Sequence, residues 1–296
     1  MISFSTWMKA GSYRYLINRQ LQICKQIGLQ CSENNPNADI HIYYTTFSRI
    51  QEMKIYPGKV NIAVCDTATL NFNVDNVSKM RDKGVIIVTP SLWNHHIMRK
   101  YTYYHPHIVP ELPEQNRQSY LFIAGISERD YDRKGHYWGH IAEQLGHRVI
   151  HVGRWQYLYG TPPDEQYFKL LCSSRYLLAM SHSESPYLPL IESASCNTPA
   201  IYLDAHEFHL LSQLYDLGVP IKASYRDVRS RLNFFHNEVD PYDFVDKLVN
   251  LEDRDHNIKK MYNELNHFSN LKDYLNPDEL KFKFQHITEA IKWDLT

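Results

Sequence analysis

The sequence has little that would place it in a membrane or on a nucleic acid. Its 296 residues contain no run of about 18 or more apolar residues, and the first nine residues lack the charged start and long apolar stretch of a signal peptide. There is also no basic excess, since 32 Lys and Arg residues stand against 33 Asp and Glu residues, for a formal net charge of −1. A protein that binds a phosphate backbone nonspecifically normally carries such an excess. We therefore expect no membrane span and no nucleic-acid partner.

Cysteine is sparse and shows no paired spacing. The five cysteines are odd in number and contain no Cys-x-x-Cys pair; they are Cys24, Cys31, Cys65, Cys172 and Cys196. This pattern is typical of reduced thiols in a cytoplasmic protein and argues against a disulfide framework or a zinc site. We expect a cytoplasmic protein whose cysteines are reduced.

Histidine, in contrast, is plentiful. Sixteen are present, and His136 and His140 lie four apart on a predicted helix. No cysteine or carboxylate completes a known spacing such as His-Glu-x-x-His, so the sequence predicts no metal and no other cofactor.

Short apolar runs alternate with helical patterns along the whole chain. With 43% hydrophobic and 22% charged residues, the composition is globular and excludes disorder as the main state. Strands alternating with helices predict parallel sheets covered on both faces. In the first part the predicted strands are 2–5, 39–44, 60–65, 85–89 and 107–109, with helices over 13–27 and 91–100. In the second part the predicted strands are 120–124, 148–152, 176–180, 200–203 and 219–222, with helices over 138–145, 164–173, 188–195 and 208–217.

A polar segment with two prolines over 109–119 separates these two alternations and has no apolar periodicity, as in a linker. We predict an α/β protein with two Rossmann-like, doubly wound domains facing across a cleft. The first covers 1–115, the second covers 116–265, and a C-terminal helix within 266–296 packs back toward the first. Ligands bind such sheets at the carboxyl ends of the strands and at helix N-termini, so the chemistry belongs in the loops that follow strands.

The most informative loop follows the predicted strand 176–180. Glu184 lies in the loop, a helix begins near Leu188, and Glu192 lies eight residues after Glu184. Two glutamates at this spacing are common on solvated surfaces. The buried strand before them and the helix N-terminus between them indicate a binding site, where the positive end of the helix meets a diphosphate.

This stretch resembles the Glu-x7-Glu motif of the retaining GT-B glycosyltransferases, the glycosyl transferase group 1 family. Upstream, Gly160 and Thr161 open a segment that is similar to the family's Gly-x-Val-Pro lead-in, and Arg133-Lys134-Gly135 resembles its Lys-Gly loop. The order and spacing match over 121–203 and are weaker in the first domain. The positions that coincide in the Glu-x7-Glu motif are Glu184, Leu188, Pro189, Glu192, Ala194, Thr198 and Pro199.

The resemblance implies a metal-independent transfer of a sugar from a nucleotide-diphosphate sugar, with retention of configuration. Lys134 and Arg133 would bind the diphosphate, together with the backbone at Tyr187 and Leu188. Glu192 would bind the ribose hydroxyls, and Glu184 would contact the transferred sugar and stabilise positive charge at its anomeric carbon. The turn at Gly160 and Thr161 would lie along the base.

The first domain is expected to serve the acceptor. Ala10-Gly11 lies where the family has a glycine pair that lets the backbone approach the phosphate. Gly11 and Ser12 are the candidate contacts there, although Gly11 equally suits an ordinary turn. Asp66 follows the predicted strand 60–65 and is a candidate partner of the acceptor hydroxyl; capping of the next segment is the alternative. The acceptor itself (glycan, lipid, protein or small molecule) is not defined by the sequence.

Two departures from the family motif keep other functions open. Ser185-Pro186-Tyr187 stands where the family has Gly-Phe-Gly, and Gly125-Ile126 replaces its Gly-Arg. A binding module that has kept the fold and lost the chemistry is one alternative, and a sugar-nucleotide epimerase is another. A phosphorylase of this fold would need a pyridoxal-phosphate lysine, for which no motif is present. Glycosylation of a nucleic-acid base is disfavoured by the near-neutral charge.

Overall fold

The computed structural model describes residues 1–8, 12–66, 73–126, 134–153, 164–182, 186–225 and 237–292. The chain divides into two compact units. Unit 1 consists of Met1–Pro110 and Leu265–Thr296, and unit 2 consists of Glu111–Glu264. Each contains one six-stranded sheet, so the predicted α/β architecture with two doubly wound sheets is confirmed.

The sheet of unit 1 is parallel throughout, in the order β2-β1-β3-β4-β5-β6. Its strands are β1 (Ile2–Thr6), β2 (Cys31–Glu33), β3 (Ile40–Thr45), β4 (Val60–Cys65), β5 (Ile86–Thr89) and β6 (Tyr103–Tyr104). Its first helices are α1 (Ser12–Gln26), α2 (Val74–Asp82) and α3 (Leu92–Met98), with a 3-10 helix over Phe47–Glu52. The hydroxyl of Ser91 accepts a hydrogen bond of 3.1 Å from the amide of Asn94 and so caps α3.

The edge of this sheet differs from the prediction. The strand predicted over 107–109 is wrong, because the edge strand β6 lies at Tyr103–Tyr104, where it pairs with Val88 and Thr89. The apolar residues Ile108 and Val109 are buried without joining the sheet, and a short apolar run does not distinguish these two cases.

The sheet of unit 2 has the order β12-β11-β10-β9-β7-β8, in which only the β11–β12 pair is antiparallel. Its strands are β7 (Tyr120–Ile126), β8 (Arg148–Gly153), β9 (Tyr176–Ala179), β10 (Ala200–Asp204), β11 (Gly218–Tyr225) and β12 (Asn237–Val239). The helices are α4 (His136–Gln144), α5 (Asp164–Cys172), α6 (Leu188–Ser195), α7 (His206–Ser212), α8 (Pro241–Val249) and α9 (Lys259–Met261). A core of fully buried side chains such as Ile123, Leu178 and Phe244 joins the sheet to α4 and α8.

The chain then passes through a π-helix over Tyr262–Asn266 back into unit 1, where a 3-10 helix (Phe268–Leu275), α10 (Pro277–Phe282) and α11 (Gln285–Ala290) follow. Within the described residues, none of the helices combines the length and the apolar character that crossing a bilayer requires.

The prediction that the cysteines are reduced and unpaired is wrong for four of the five. Cys24 is bonded to Cys31, Cys172 is bonded to Cys196, and Cys65 is a free, buried thiol. Folding brings the Cα atoms of the pairs to 6.0 Å and 5.6 Å, a separation that suits a disulfide. The sequence spacings of 7 and 24 residues carry no sign of this approach. The argument for a reducing compartment therefore loses its basis.

Candidate functional site

The candidate site lies at the carboxyl edge of the sheet in unit 2, where Lys134 and Tyr187 come together. The Lys134 ammonium nitrogen is 5.6 Å from the centre of the Tyr187 ring, within the range of a cation–π contact. Tyr187 is the N-cap residue of α6, and its hydroxyl donates a hydrogen bond of 3.2 Å to the carbonyl of Ala124 in β7. Lys134 thus contacts the side chain of the residue that precedes α6.

Gly135 fixes the position of this lysine. Its φ of +71° is left-handed, and a Cβ built there would lie 2.0 Å from the carbonyl oxygen of Met180, the residue after β9. The backbone at Gly135 therefore packs directly on the end of β9, which only glycine permits. In the Lys-Gly pair of the sequence motif, Lys134 thus supplies a cation, and Gly135 lets the backbone pack against the carbonyl of Met180.

The first turn of α6 has the properties of an anion-binding helix end. The first N–H groups of a helix have no partner within it, and the helix dipole places partial positive charge there. Among the described residues, no side chain of the N-cap position satisfies these groups, and the first turn contains no acidic residue. Leu188 begins the helix, and Pro189 suits its first turn but has no N–H group. The amide of Leu190 donates a hydrogen bond of 3.0 Å to the carbonyl of Tyr187, so the amide that can serve an anion in this turn is that of Leu188.

Glu192 lies in the same helix, one turn further along. It is buried, and its Oε2 accepts a hydrogen bond of 3.0 Å from the hydroxyl of Tyr167 in α5. The Tyr167 ring is buried too and packs edge-on against Phe122, with ring centres 5.5 Å apart. A buried carboxyl group is costly unless it is hydrogen-bonded, so Tyr167 is the partner that makes this position of Glu192 tolerable.

A strained residue follows the neighbouring strand β10. His206 has a φ of +44°, a conformation that glycine adopts readily and a histidine rarely. Its Nδ1 accepts a hydrogen bond of 2.9 Å from the side-chain amide of Asn237, and burial lowers the pKa of His206 to about 4. The segment that follows β10 contains no glycine and yet makes a left-handed turn at His206, whose imidazole is uncharged.

In unit 1, Asp66 follows β4 and is held by two side chains. Its Oδ2 is 3.4 Å from Nε2 of His107, and its Oδ1 is hydrogen-bonded to the hydroxyl of Tyr13, which also lies 2.8 Å from the carbonyl of Thr45. Burial, and after it the Asp66 carboxylate, raise the pKa of Tyr13, so its hydroxyl keeps its proton and donates. Asn266 orients His107 by donating a hydrogen bond of 2.6 Å to its carbonyl.

Five of the predicted site residues lie outside the described residues: Gly11, Arg133, Gly160, Thr161 and Glu184. Ser12 begins α1, and its side chain is likewise outside the described part of the chain. Among the described residues, the structure brings together Lys134, Tyr187 and Leu188 at one sheet edge, with Glu192 one helical turn further along α6.

Sequence reasoning missed the residues that hold the predicted ones. Tyr167, Tyr13 and His107 each contact a predicted site residue across 25 or more positions of sequence. The helix pattern over 164–173 predicts that Tyr167 lies on a helix, but nothing in that pattern indicates that its partner is Glu192. Among the described residues, one group has the composition of a metal site, namely His140, Glu143 and His151.

Comparison with solved structures places this fold. The structure matches AviGT4, described as a glycosyltransferase involved in avilamycin A biosynthesis, with a TM-score of 0.61 and 13% identity over 94% of this chain and 97% of that one. It also matches sucrose-phosphate synthase from Thermosynechococcus elongatus, with a TM-score of 0.57 and 9% identity over 96% and 99% of the chains. The fold is that of the GT-B glycosyltransferases.

Sequence comparison then gives the family. No family model matches the chain. It is 30% identical over 294 residues to the protein named "Putative glycosyltransferase ORF315" of Acidianus bottle-shaped virus (isolate Italy/Pozzuoli), covering 87% of this chain and 90% of that protein. A stretch of 65 residues is 43% identical to "Putative glycosyltransferase ORF330" of Acidianus filamentous virus 2 (isolate Italy/Pozzuoli), covering 22% of this chain and 18% of that protein. The chain belongs to this family of glycosyltransferases, and the predicted resemblance to the GT-B glycosyltransferases is confirmed.

Proposed function

We propose that the protein transfers a sugar from a nucleotide-diphosphate sugar to an acceptor hydroxyl, with retention of configuration and without a metal ion on the diphosphate. One observation carries the proposal. The Lys134 ammonium lies 5.6 Å from the ring of Tyr187, the residue that caps α6, so a side-chain cation and a helix N-terminus converge at one sheet edge. Together they offer positive charge of two kinds to a diphosphate.

This positive charge stabilises the diphosphate as it leaves. As the bond between the anomeric carbon and the diphosphate oxygen breaks, negative charge accumulates on the diphosphate. Lys134 and the Leu188 amide at the start of α6, fixed by Gly135 and Tyr187, stabilise that charge without moving. Arg133, next to Lys134 in the sequence, supplies the second cation in this proposal.

Retention follows from the face on which the acceptor attacks. The acceptor oxygen attacks the anomeric carbon on the face from which the diphosphate leaves. Its proton passes to the departing phosphate oxygen as the new glycosidic bond forms. Glu184 stabilises the positive charge that develops on the sugar, and no covalent enzyme intermediate forms.

The remaining contacts orient the substrates. Glu192 binds the ribose hydroxyls, and the hydrogen bond from Tyr167 orients its carboxylate. By the family resemblance, Gly160 and Thr161 serve the base of the donor, and Gly11 and Ser12 serve its phosphate. Asp66, held by Tyr13 and His107, is the partner of the acceptor hydroxyl.

A thermal-shift panel tests the donor site. The full chain is melted with UDP, GDP, ADP, CMP and dTDP, each with and without EDTA, and each shift is taken relative to the same buffer without nucleotide. A ligand that binds only the folded state raises the melting temperature. We expect one diphosphate to stabilise the protein, with a shift that EDTA leaves unchanged.

Variants assign that shift to the site. Lys134→Met is expected to lose most of it, and Glu192→Gln part of it. Lys222→Met removes a lysine whose side chain is 78% exposed in the same unit, and it serves as the matched control. A panel without any shift, or a shift that Lys134→Met leaves intact, would overturn the donor-site proposal. With the stabilising donor in hand, the anomeric configuration of the released sugar or product, read by proton NMR, tests retention.

A further inference from the structure

A cluster of three histidines and one glutamate joins α4 to the edge strand β8 of unit 2. His140 and Glu143 lie three residues apart on one face of α4, and His151 reaches them from β8. Nδ1 of His140 is 2.8 Å from Oε2 of Glu143, and Nε2 of His151 is 3.1 Å from Oε1 of the same carboxylate. One side-chain atom of each residue lies within 4.8 Å of the others.

These separations suit a small metal ion. Donor atoms at about 2.0–2.1 Å from a tetrahedral ion lie roughly 3.4 Å apart, close to the distances already present. Two imidazoles and one carboxylate form a ligand set that zinc accepts, with a fourth position for water, whereas Mg²⁺ and Ca²⁺ prefer oxygen ligands alone. We propose that His140, Glu143 and His151 bind a divalent transition-metal ion of the zinc type, which clamps α4 to β8.

A fourth residue orients one of the ligands. Nδ1 of the buried His136 lies 3.1 Å from Nδ1 of His151, the ring nitrogen that faces away from Glu143. With Nε2 of His151 on the metal, its Nδ1–H donates to His136, and this hydrogen bond sets the tautomer of the ligand. Such outer hydrogen bonds are a regular feature of zinc-binding histidines.

The helix itself is shaped to admit the His151 ring. A Cβ at Gly139 would lie 2.6 Å from Cε1 of His151, so only glycine lets the ring approach α4 this closely. The ring stacks on that of His140, with centres 4.8 Å apart and planes inclined by 28°. His140 and Glu143 keep 39% and 40% of their side-chain surface exposed, which gives an ion a path from solvent.

Direct metal binding tests the proposal. The untagged full chain is stripped with a chelator, dialysed, and titrated with Zn²⁺ in competition with a chromogenic chelator. We expect one Zn²⁺ per chain and no displacement by Mg²⁺. Co²⁺ in the same chain should give the visible d–d bands of a low-symmetry site without a thiolate charge-transfer band. Failure of the wild-type chain to bind Zn²⁺ stoichiometrically would overturn the proposal.

Three variants separate this site from scattered surface histidines. Glu143→Gln and His151→Gln should each weaken Zn²⁺ binding by at least about 10-fold, and His136→Ala by about 10–100-fold as the loss of an orienting partner. His209→Gln removes a histidine that pairs with Asp204 at 3.0 Å in the same unit, and it should bind Zn²⁺ like the wild type. Unchanged affinity in both Glu143→Gln and His151→Gln would also overturn the proposal. Because Glu143 is exposed, its variant should keep the fold, which circular dichroism checks.

The result is independent of the donor site. Zinc binding is read without any nucleotide, and none of the four residues has a role in the proposed transfer. Zinc binding without nucleotide binding would support the metal site and contradict the donor site. Nucleotide binding without zinc binding would do the reverse.

Discussion

The hydroxyl of Tyr167 donates a hydrogen bond of 3.0 Å to the carboxylate of Glu192, between two helices that are buried where they meet. This contact links the second glutamate of the Glu-x7-Glu motif to the segment that precedes the motif in the sequence. It makes the carboxylate both a structural group and a candidate ligand for ribose, and the two roles can be separated by mutation.

Tyr167→Phe should lower the free energy of unfolding by about 1–3 kcal/mol, because the buried carboxyl group loses a donor. Urea unfolding measures this, and Glu192→Gln together with the double variant completes a double-mutant cycle. We expect a coupling of about 0.5–3 kcal/mol between the two positions. Additive effects would show that the hydrogen bond contributes nothing.

Lys134→Met should weaken binding of the stabilising nucleoside diphosphate by about 10- to 100-fold, the loss expected for one charge-assisted contact. Isothermal titration calorimetry measures the dissociation constant. The same titration with Lys222→Met should match the wild type, since that ammonium lies 3.7 Å from Asp243 on the surface. Equal losses in both variants would point to net charge as the cause.

Gly135→Ala should be strongly destabilising, by about 3 kcal/mol or more. The substitution adds left-handed strain of about 1–2 kcal/mol and a Cβ against the carbonyl of Met180. Gly28→Ala is the matched control, because Gly28 has the same φ of +71° and a Cβ built there would meet no atom within 4 Å. Chemical unfolding of both variants compares them, and similar losses would remove the steric argument.

Acid should destabilise the protein through His206. Burial lowers its pKa from 6.5 to about 4 in the folded state, so the unfolded chain binds the extra proton first as the pH falls. Above pH 6.5 the imidazole is neutral in both states and costs no stability. Between pH 6.5 and about pH 4 the free energy of unfolding falls, by at most about 1.4 kcal/mol per pH unit for this one group. Unfolding free energies over this range measure it.

His206→Asn is the variant that isolates the effect, because asparagine tolerates the left-handed conformation and does not titrate. Its stability should fall less steeply than that of the wild type between pH 6.5 and pH 4. The contributions of other histidines are common to both proteins, so identical slopes would contradict the assignment to His206.

The disulfides predict a simple labelling pattern. Alkylation in denaturant without reductant should modify one cysteine, Cys65, and all five after reduction, as counted by mass spectrometry. Reduction should lower the stability by about 2–4 kcal/mol for each bond, more for the Cys172–Cys196 loop because it is longer. More than one modified cysteine before reduction would contradict the pairing.

Local patterns in the amino-acid sequence are enough to predict the alternation of strands and helices and the family. Helix α6 begins and ends at the predicted residues, and β4 does so as well. Ser91 caps α3 through its own local chemistry. These features depend on side-chain periodicity, caps and motif order, all of which act over a few neighbouring positions.

Which residues meet is a property of the folded chain alone. Folding pairs Asp66 with His107, Glu192 with Tyr167, and four of the cysteines with one another. It also brings His151, from a separate strand, into contact with Glu143 on the helix that carries His140. These contacts depend on how elements that are distant in sequence pack together, and the periodicity of one segment contains no information about the partner that covers it.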